Sequence, residues 1–285
     1  MKLATAIVNG EETAAIIFSN NITTIKTINE TENKNWSTDL FQLIQKGQIT
    51  EMIHWYTSEG KHKLCGYPAV KVEQTDFGPL YRNPRKILGV GMNFQEKAVE
   101  LSGKLPEEEP VIFMKPDTSL IGIEESIRLP TQSRIVTAEA ELGIIIGRTC
   151  KNVKPEDALS VVAGFTTTLD MTAKDIHAKN PRYLQRSKSF DTFFSFGPYF
   201  ITFDELEEIM DIEIETVLNG KVEHRNIVRN MMYPPEYIVS FFSQIMTLYP
   251  GDIIMTGTPG SVPIRKGDVV GCNIKPFKML FNSVI

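Results

Sequence analysis

The sequence predicts a β-rich α+β fold, with a small N-terminal α+β domain over residues 1–80 and a larger strand-dominated domain over residues 81–285. Three features predict it: a hairpin signature near the N-terminus, a series of short apolar runs separated by turns from Lys86 onward, and few segments with helical spacing. The chain of 285 residues is 42% hydrophobic and 23% charged, a globular balance, and no run approaches the ~20 apolar residues of a membrane span.

Element by element, "KLATAIV", Asn9-Gly10 and "TAAIIFS" form the hairpin, because Asn-Gly accepts the positive φ values such turns need. "STDLFQLIQKGQITEMIHWYTSEG" follows, with Leu40, Leu43 and Ile44 at helical spacing after a Ser37 or Thr38 cap. Pro68, Gly78, Pro79 and Pro84 punctuate a connector, which sets the boundary near residue 80. Strands are then expected at "KILGVG", "VIFMK", "AELGIIIG", "SVVAGFTTTLD", "IEIETVLNG", "DIIMTG" and "DVVGCNI". Helices are expected at "NFQEKAVELSG", "KPEDALS" and "PPEYIVSFFSQIMT".

A net charge of −5 argues against general nucleic-acid or membrane-surface binding, which favours a basic excess. Three widely spaced cysteines and no CxxC pair suit a reducing compartment, and Glu11 and Glu12 interrupt the N-terminal stretch before a secretory apolar core, so a cytoplasmic protein is expected. "ILGVGMNF" offers Gly89-x-Gly91, but Phe94 stands where a dinucleotide fingerprint needs a small residue. Neither glycine-rich loop has the Gly-Lys-Ser/Thr of a P-loop.

Chemistry concentrates in three places. In "TAEAELGII", alternation puts Glu139 and Glu141 on one face of a strand whose continuation is apolar on both faces. Two such carboxylates are stable only if one is protonated, if bases pair with them, or if a cation joins them. Asp170 ends the next apolar strand, and three carboxylates suit a hard cation such as Mg²⁺ or Mn²⁺ better than zinc. The segment "HAKNPRYLQRSKSFDTF" gathers His177, Lys179, Arg182, Arg186 and Lys188 in an otherwise acidic chain, as the lip of a site for an anionic substrate would. The loop Thr256-Gly257-Thr258-Pro259-Gly260 is able to aim backbone N–H groups and hydroxyls at an oxyanion or carboxylate.

Taken together, "GVGMNF", "VIFMKP", "AEAELGIIIG", "AGFTTTLDMTAKD", "KSFDTFFSFGP", "VLNG" and "TLYPGDIIMTGTP" occur in the order seen in the fumarylacetoacetate hydrolase family, which residues 85–285 resemble. The resemblance implies a twisted mixed β-sheet fold and a homodimer. It also implies a divalent metal, Mg²⁺ or Mn²⁺, held by Glu139, Glu141 and Asp170, and a small anionic oxo-acid substrate. Lys188 is implied as a catalytic group supporting negative charge, with Thr258, Gly257, Lys115 and Gln185 as substrate-binding candidates. Many members carry Asn-Tyr-x-x-His with a glutamate three residues on, a pair that activates water or moves a proton. Here Glu100 is in register, but Lys97 stands at the histidine's place. Lysine, ordinarily protonated up to about pH 10.4, is a poor base near neutrality. Lys174 likewise replaces an arginine. The leading expectation is C–C bond hydrolysis of an acylpyruvate or fumarylacetoacetate type through an enolate, with Glu100 as base. The alternatives are decarboxylation, keto–enol isomerisation or sugar-acid dehydration on the same site, which the missing histidine favours, and a catalytically degenerate binding protein.

Overall fold

The computed structural model describes residues 1–94, 109–206 and 208–285. The N-terminal hairpin joins β1 (Lys2–Val8) to β2 (Glu11–Phe18), and β3 (Asn21–Thr24) adds to its far side. Asn9 and Gly10 both take positive φ, 53° and 82°, as a two-residue hairpin turn requires. Helices α1 (Ile25–Glu32), α2 (Leu40–Gln45), α3 (Gln48–Trp55) and the single turn α4 (Lys61–Lys63) follow. The cap of α2 is Asp39, one residue after the expected Thr38, because the Asp39 carboxylate is placed to accept the Gln42 N–H at 2.7 Å. The connector contains two short strands, β4 (Val70–Lys71) and β5 (Asp76–Phe77).

The larger part supplies β6 (Ile87–Gly91), β7 (Val111–Lys115), β8 (Leu120–Ile121), β9 (Val136–Ile146), β10 (Val162–Ala173), β11 (Phe194–Phe196) and β12 (Tyr199–Thr202). It continues with β13 (Glu213–Leu218), β14 (Lys221–Ile227), β15 (Ile253–Met255), β16 (Ser261–Ile264), β17 (Val269–Asn273) and β18 (Leu280–Ser283). Its helices are α5 (Lys174–Lys179), α6 (Leu184–Lys188) and α7 (Pro235–Ile245). The expected helix at "KPEDALS" is instead a 3₁₀ run over Pro155–Val161, in which Ala158 is buried and Leu159 and Val161 pack partly buried against the core. The helix expected at "NFQEKAVELSG" falls mostly outside the described residues.

Among the described residues, one mixed sheet of fourteen strands follows the order β4-β3-β2-β1-β12-β10-β9-β15-β6-β7, with shorter strands attached, and β14-β13-β17-β18 form a second sheet. The large sheet crosses the expected boundary near residue 80, because β1 pairs antiparallel with β12, Leu3 opposite Phe200. Alternation assigns its two faces. On β9, Leu142, Ile144 and Ile146 enter one apolar cluster, while Ile145 enters another with Ile28, Leu43 and Met52 of the N-terminal helices. Both faces are therefore covered, as the continuous apolar run implied.

Candidate metal centre and active-site cavity

Glu139 and Glu141 lie two residues apart on β9, on the face that carries Ile145. The antiparallel register sets Asp170 of β10 directly opposite Glu139, and Thr168 opposite Glu141. Opposed residues share a face, so three carboxylates converge, each offering an oxygen within 4.8 Å of the others. Asp170 and Glu141 are buried and Glu139 is half-buried. Gly143 keeps the next position clear, since a Cβ there would lie 2.7 Å from Thr168 Cγ2. Burial, with Asp170 and Glu139 beside it, pushes the Glu141 carboxyl well above the usual range, and Lys188 and the Gly257 N–H oppose that shift.

Two lysines meet this cluster. The Lys188 ammonium, delivered by the end of α6, donates to Glu139 Oε2 at 3.0 Å and to Asp170 Oδ2, and lies over the Phe113 ring at 4.4 Å. Burial disfavours its charge, but Asp170, Glu139 and Glu141 outweigh burial and hold its pKa above the ordinary lysine value. Lys115, from β7, is fully buried, stands 2.7 Å from Asp170 Oδ1 and donates to the Met171 carbonyl at 3.1 Å. Burial lowers its pKa to about 8, reinforced by Lys188 and opposed by Asp170. Two lysine side chains thus face the three carboxylates from the protein side. Three converging carboxylate oxygen donors, with no histidine or cysteine among them, fit a divalent hard cation.

The cluster faces a cavity of about 500 Å³. Glu139, Glu141, Lys188 and Thr258 line it, together with Lys174, His177 and Ala178 of α5 and an apolar wall that includes Val90, Val111, Phe113 and Leu184. The Thr258 hydroxyl donates to the Gly260 carbonyl at 3.0 Å and accepts the Gly260 N–H at 3.2 Å, which folds the loop on itself beside the cavity. The Gly257 N–H donates to Glu141 Oε2 at 2.5 Å and so orients a carboxylate. Gln185 is turned to the chain: its amide donates to the Met114 carbonyl at 2.7 Å, and its oxygen accepts the Met114 N–H at 3.3 Å. Lys97 and Glu100 lie outside the described residues.

Asn93 is a site-supporting residue that sequence reasoning missed. Fully buried, it donates to the carbonyls of Thr256 at 2.7 Å and Tyr233 at 2.9 Å and accepts the Tyr233 N–H at 2.8 Å. It thereby ties the end of β6 to the loop that holds Glu141. An asparagine directly after an apolar strand was the available signal. Its partners, far along the chain, were not.

Residues 86–285 match the family model described as fumarylacetoacetate (FAA) hydrolase C-terminal. The chain belongs to the fumarylacetoacetate hydrolase family. Among its relatives, the mitochondrial oxaloacetate tautomerase of Rattus norvegicus is 33% identical over 226 residues, covering 76% of this chain and 72% of that protein. An uncharacterised protein of Methanocaldococcus jannaschii is 41% identical over 202 residues, covering 70% and 83% respectively. The 5-carboxymethyl-2-hydroxymuconate delta-isomerase of Mycobacterium smegmatis superposes with a TM-score of 0.78 at 28% identity, over 100% of this chain and 98% of that one. The maleylpyruvate hydrolase of Sphingobium sp. SYK-6, in complex with manganese(II) and pyruvate, gives a TM-score of 0.80 at 25% identity, over 100% and 99%. The fumarylacetoacetate hydrolase family thus supplies this chain's fold and marks it as an enzyme, among relatives named as hydrolases, isomerases and tautomerases. Among the described residues, no helix is long and apolar enough to cross a membrane.

Proposed function

We propose that the protein is a divalent-metal-dependent enzyme that forms and protonates the enolate of a small 2-oxo acid, with keto–enol tautomerisation as its reaction. The observation that supports this most is the convergence of Glu139, Glu141, Asp170, Lys188 and Lys115 beside one cavity. The three carboxylates would hold Mg²⁺ or Mn²⁺, which when bound supplies Lewis-acid stabilisation of charge developing on a carbonyl oxygen. Lys188, whose charged form the surrounding carboxylates favour, stabilises a substrate carboxylate or enolate oxygen. Lys115 balances Asp170 from the protein side, and Gly257 fixes Glu141. Thr258 offers a hydroxyl at the cavity wall.

Tautomerisation needs proton movement and no attacking water. That suits a chain with Lys97 where the family motif has histidine. The oxaloacetate tautomerases among its relatives support the same choice. C–C hydrolysis of an acylpyruvate is the second reading, favoured by Glu100 in register and by the maleylpyruvate hydrolase likeness. A homodimer belongs to either reading.

Calorimetric titration of Mn²⁺ is expected to show one site per chain in the wild type and none in Glu141→Ala. Absence of binding to the wild type would refute the metal centre. With Mn²⁺ present, oxaloacetate enol is expected to convert to keto form faster than with metal alone. Acetylpyruvate followed by NMR is expected to stay intact; acetate and pyruvate would favour the hydrolytic reading, and carbon dioxide and pyruvate from oxaloacetate above the metal background would indicate decarboxylation.

A further inference from the structure

The strand β10 that presents Asp170 runs straight into α5, so the helix that lines the cavity begins four residues after that carboxylate. Lys174, His177 and Ala178 are spaced i, i+3 and i+4, which places them on one helical face, and all three line the cavity with Glu139, Glu141 and Lys188. Ile176 is buried the other way. Of the chain's four histidines, His54 belongs to α3, His62 to α4 and His224 packs against Gly260; His177 is the one lining this cavity among the described residues.

The neighbouring groups are committed elsewhere. The three carboxylates form the metal cluster, Lys188 is tied to two of them, and Lys115 is sealed behind Asp170. The other titratable groups lining the cavity among the described residues are Lys174, exposed, and His177, half-buried. We propose that His177 is the proton carrier of the site: it takes a proton from the carbon beside the 2-oxo carbonyl and returns it to the enolate. This rests on the enolate-forming reading above.

In the forward step the C3–H bond breaks and an N–H bond forms on the imidazole. The C–H electron pair becomes the C2–C3 double bond, and the carbonyl π pair moves onto oxygen. Return of the proton to that oxygen gives the enol, and the reverse sequence gives the keto acid, so no co-reactant is consumed. Lys188 from α6 and Glu139 from β9 are the charged groups that act on the imidazole, and Glu141 from β9 and Lys174 on the same helix line the same cavity. Burial and Lys188 lower its pKa against the pull of Glu139, so the ring is neutral and able to accept a proton at pH 7.

The test compares Mn²⁺-loaded wild type, His177→Gln and His177→Ala. It follows decay of the oxaloacetate enol band and exchange of 2-oxobutyrate C3 protons into D₂O by NMR, each corrected for Mn²⁺ alone, with Mn²⁺ affinity measured separately by EPR. Both variants are expected to lose about 10²-fold or more in rate while keeping Mn²⁺ affinity. The acid limb of the wild-type rate profile, with a midpoint below the ordinary histidine value near 6.5, is expected to disappear in His177→Gln. Added imidazole is expected to restore part of the activity of His177→Ala. Wild-type rates and an unchanged acid limb in His177→Gln overturn the proposal, as does a loss that tracks lost Mn²⁺ affinity. A wild type that binds Mn²⁺ yet catalyses neither reaction overturns the enolate reading itself, and this proposal with it.

Discussion

Gly257 meets two demands at once. Its φ of 97° lies in the region that disfavours side chains, and a Cβ there would sit 2.6 Å from Asn93 Cβ. Its N–H is also the backbone donor to the buried Glu141 carboxylate. Gly257→Ala is therefore expected to destabilise the fold by about 1–3 kcal/mol through strain and crowding. It should weaken Mn²⁺ binding as well, since the loop must shift away from Glu141. Thermal melts and Mn²⁺ titration check this; an unchanged affinity would mean that the Gly257 hydrogen bond does not set the carboxylate's position. At this scale the sequence was informative wherever chemistry is local: the parity of Glu139 and Glu141 follows from a two-residue strand period. It was silent on which hydrogen bonds Gly257 and Gln185 make, because Glu141 and Met114 lie 116 and 71 residues away.

The element that most directly shapes the cavity is α5, only six residues long and held at its start by Asp175. The Asp175 carboxylate accepts the Ser133 hydroxyl at 2.5 Å and the Arg134 N–H at 3.0 Å, which fixes the helix against the segment leading into β9. Burial opposes its ionisation, and the hydrogen bonds from Ser133, Arg134, Ile176 and Ile135 outweigh burial, so its pKa falls below the ordinary 3.8. A depressed carboxyl stabilises the fold above that ordinary value, and the contribution disappears as pH falls through the lowered folded one. Asp175→Asn is accordingly expected to lower Tm at pH 7, with the gap to wild type closing as pH drops below 3.8. A gap that stayed constant with pH would show that the carboxylate's charge contributes nothing there. Helix α5 was legible only as a basic segment. Its helical face depends on β10 ending where it does and on a tether from outside the segment, neither of which apolar periodicity records.

Across the whole molecule, the N-terminal residues act as a covering layer for the sheet that carries the site. Ile145, Phe194, Phe196, Phe200, Ile253 and Met255 share one cluster with Met1, Leu3, Ile28, Leu43 and Met52. The hairpin and helices of residues 1–80 were legible from Asn9-Gly10 and the spacing of Leu40, Leu43 and Ile44. That β1 extends the large sheet through β12 was not, because strand pairing across nearly two hundred residues leaves no mark in local alternation. We propose that the division near residue 80 separates two stretches of sequence but not two independently folding units. A chain cut to residues 81–285 loses β1, one of the two strands that pair with β12, and uncovers that apolar face. It is expected to aggregate or to elute as a mixture of oligomers, and to bind a hydrophobic dye that the full chain does not. Co-expression with residues 1–80 should restore solubility, since the lost contacts are non-covalent. A soluble 81–285 fragment with native secondary structure and wild-type Mn²⁺ affinity would show instead that the covering layer is dispensable and that the carboxylate cluster is built by the larger part alone.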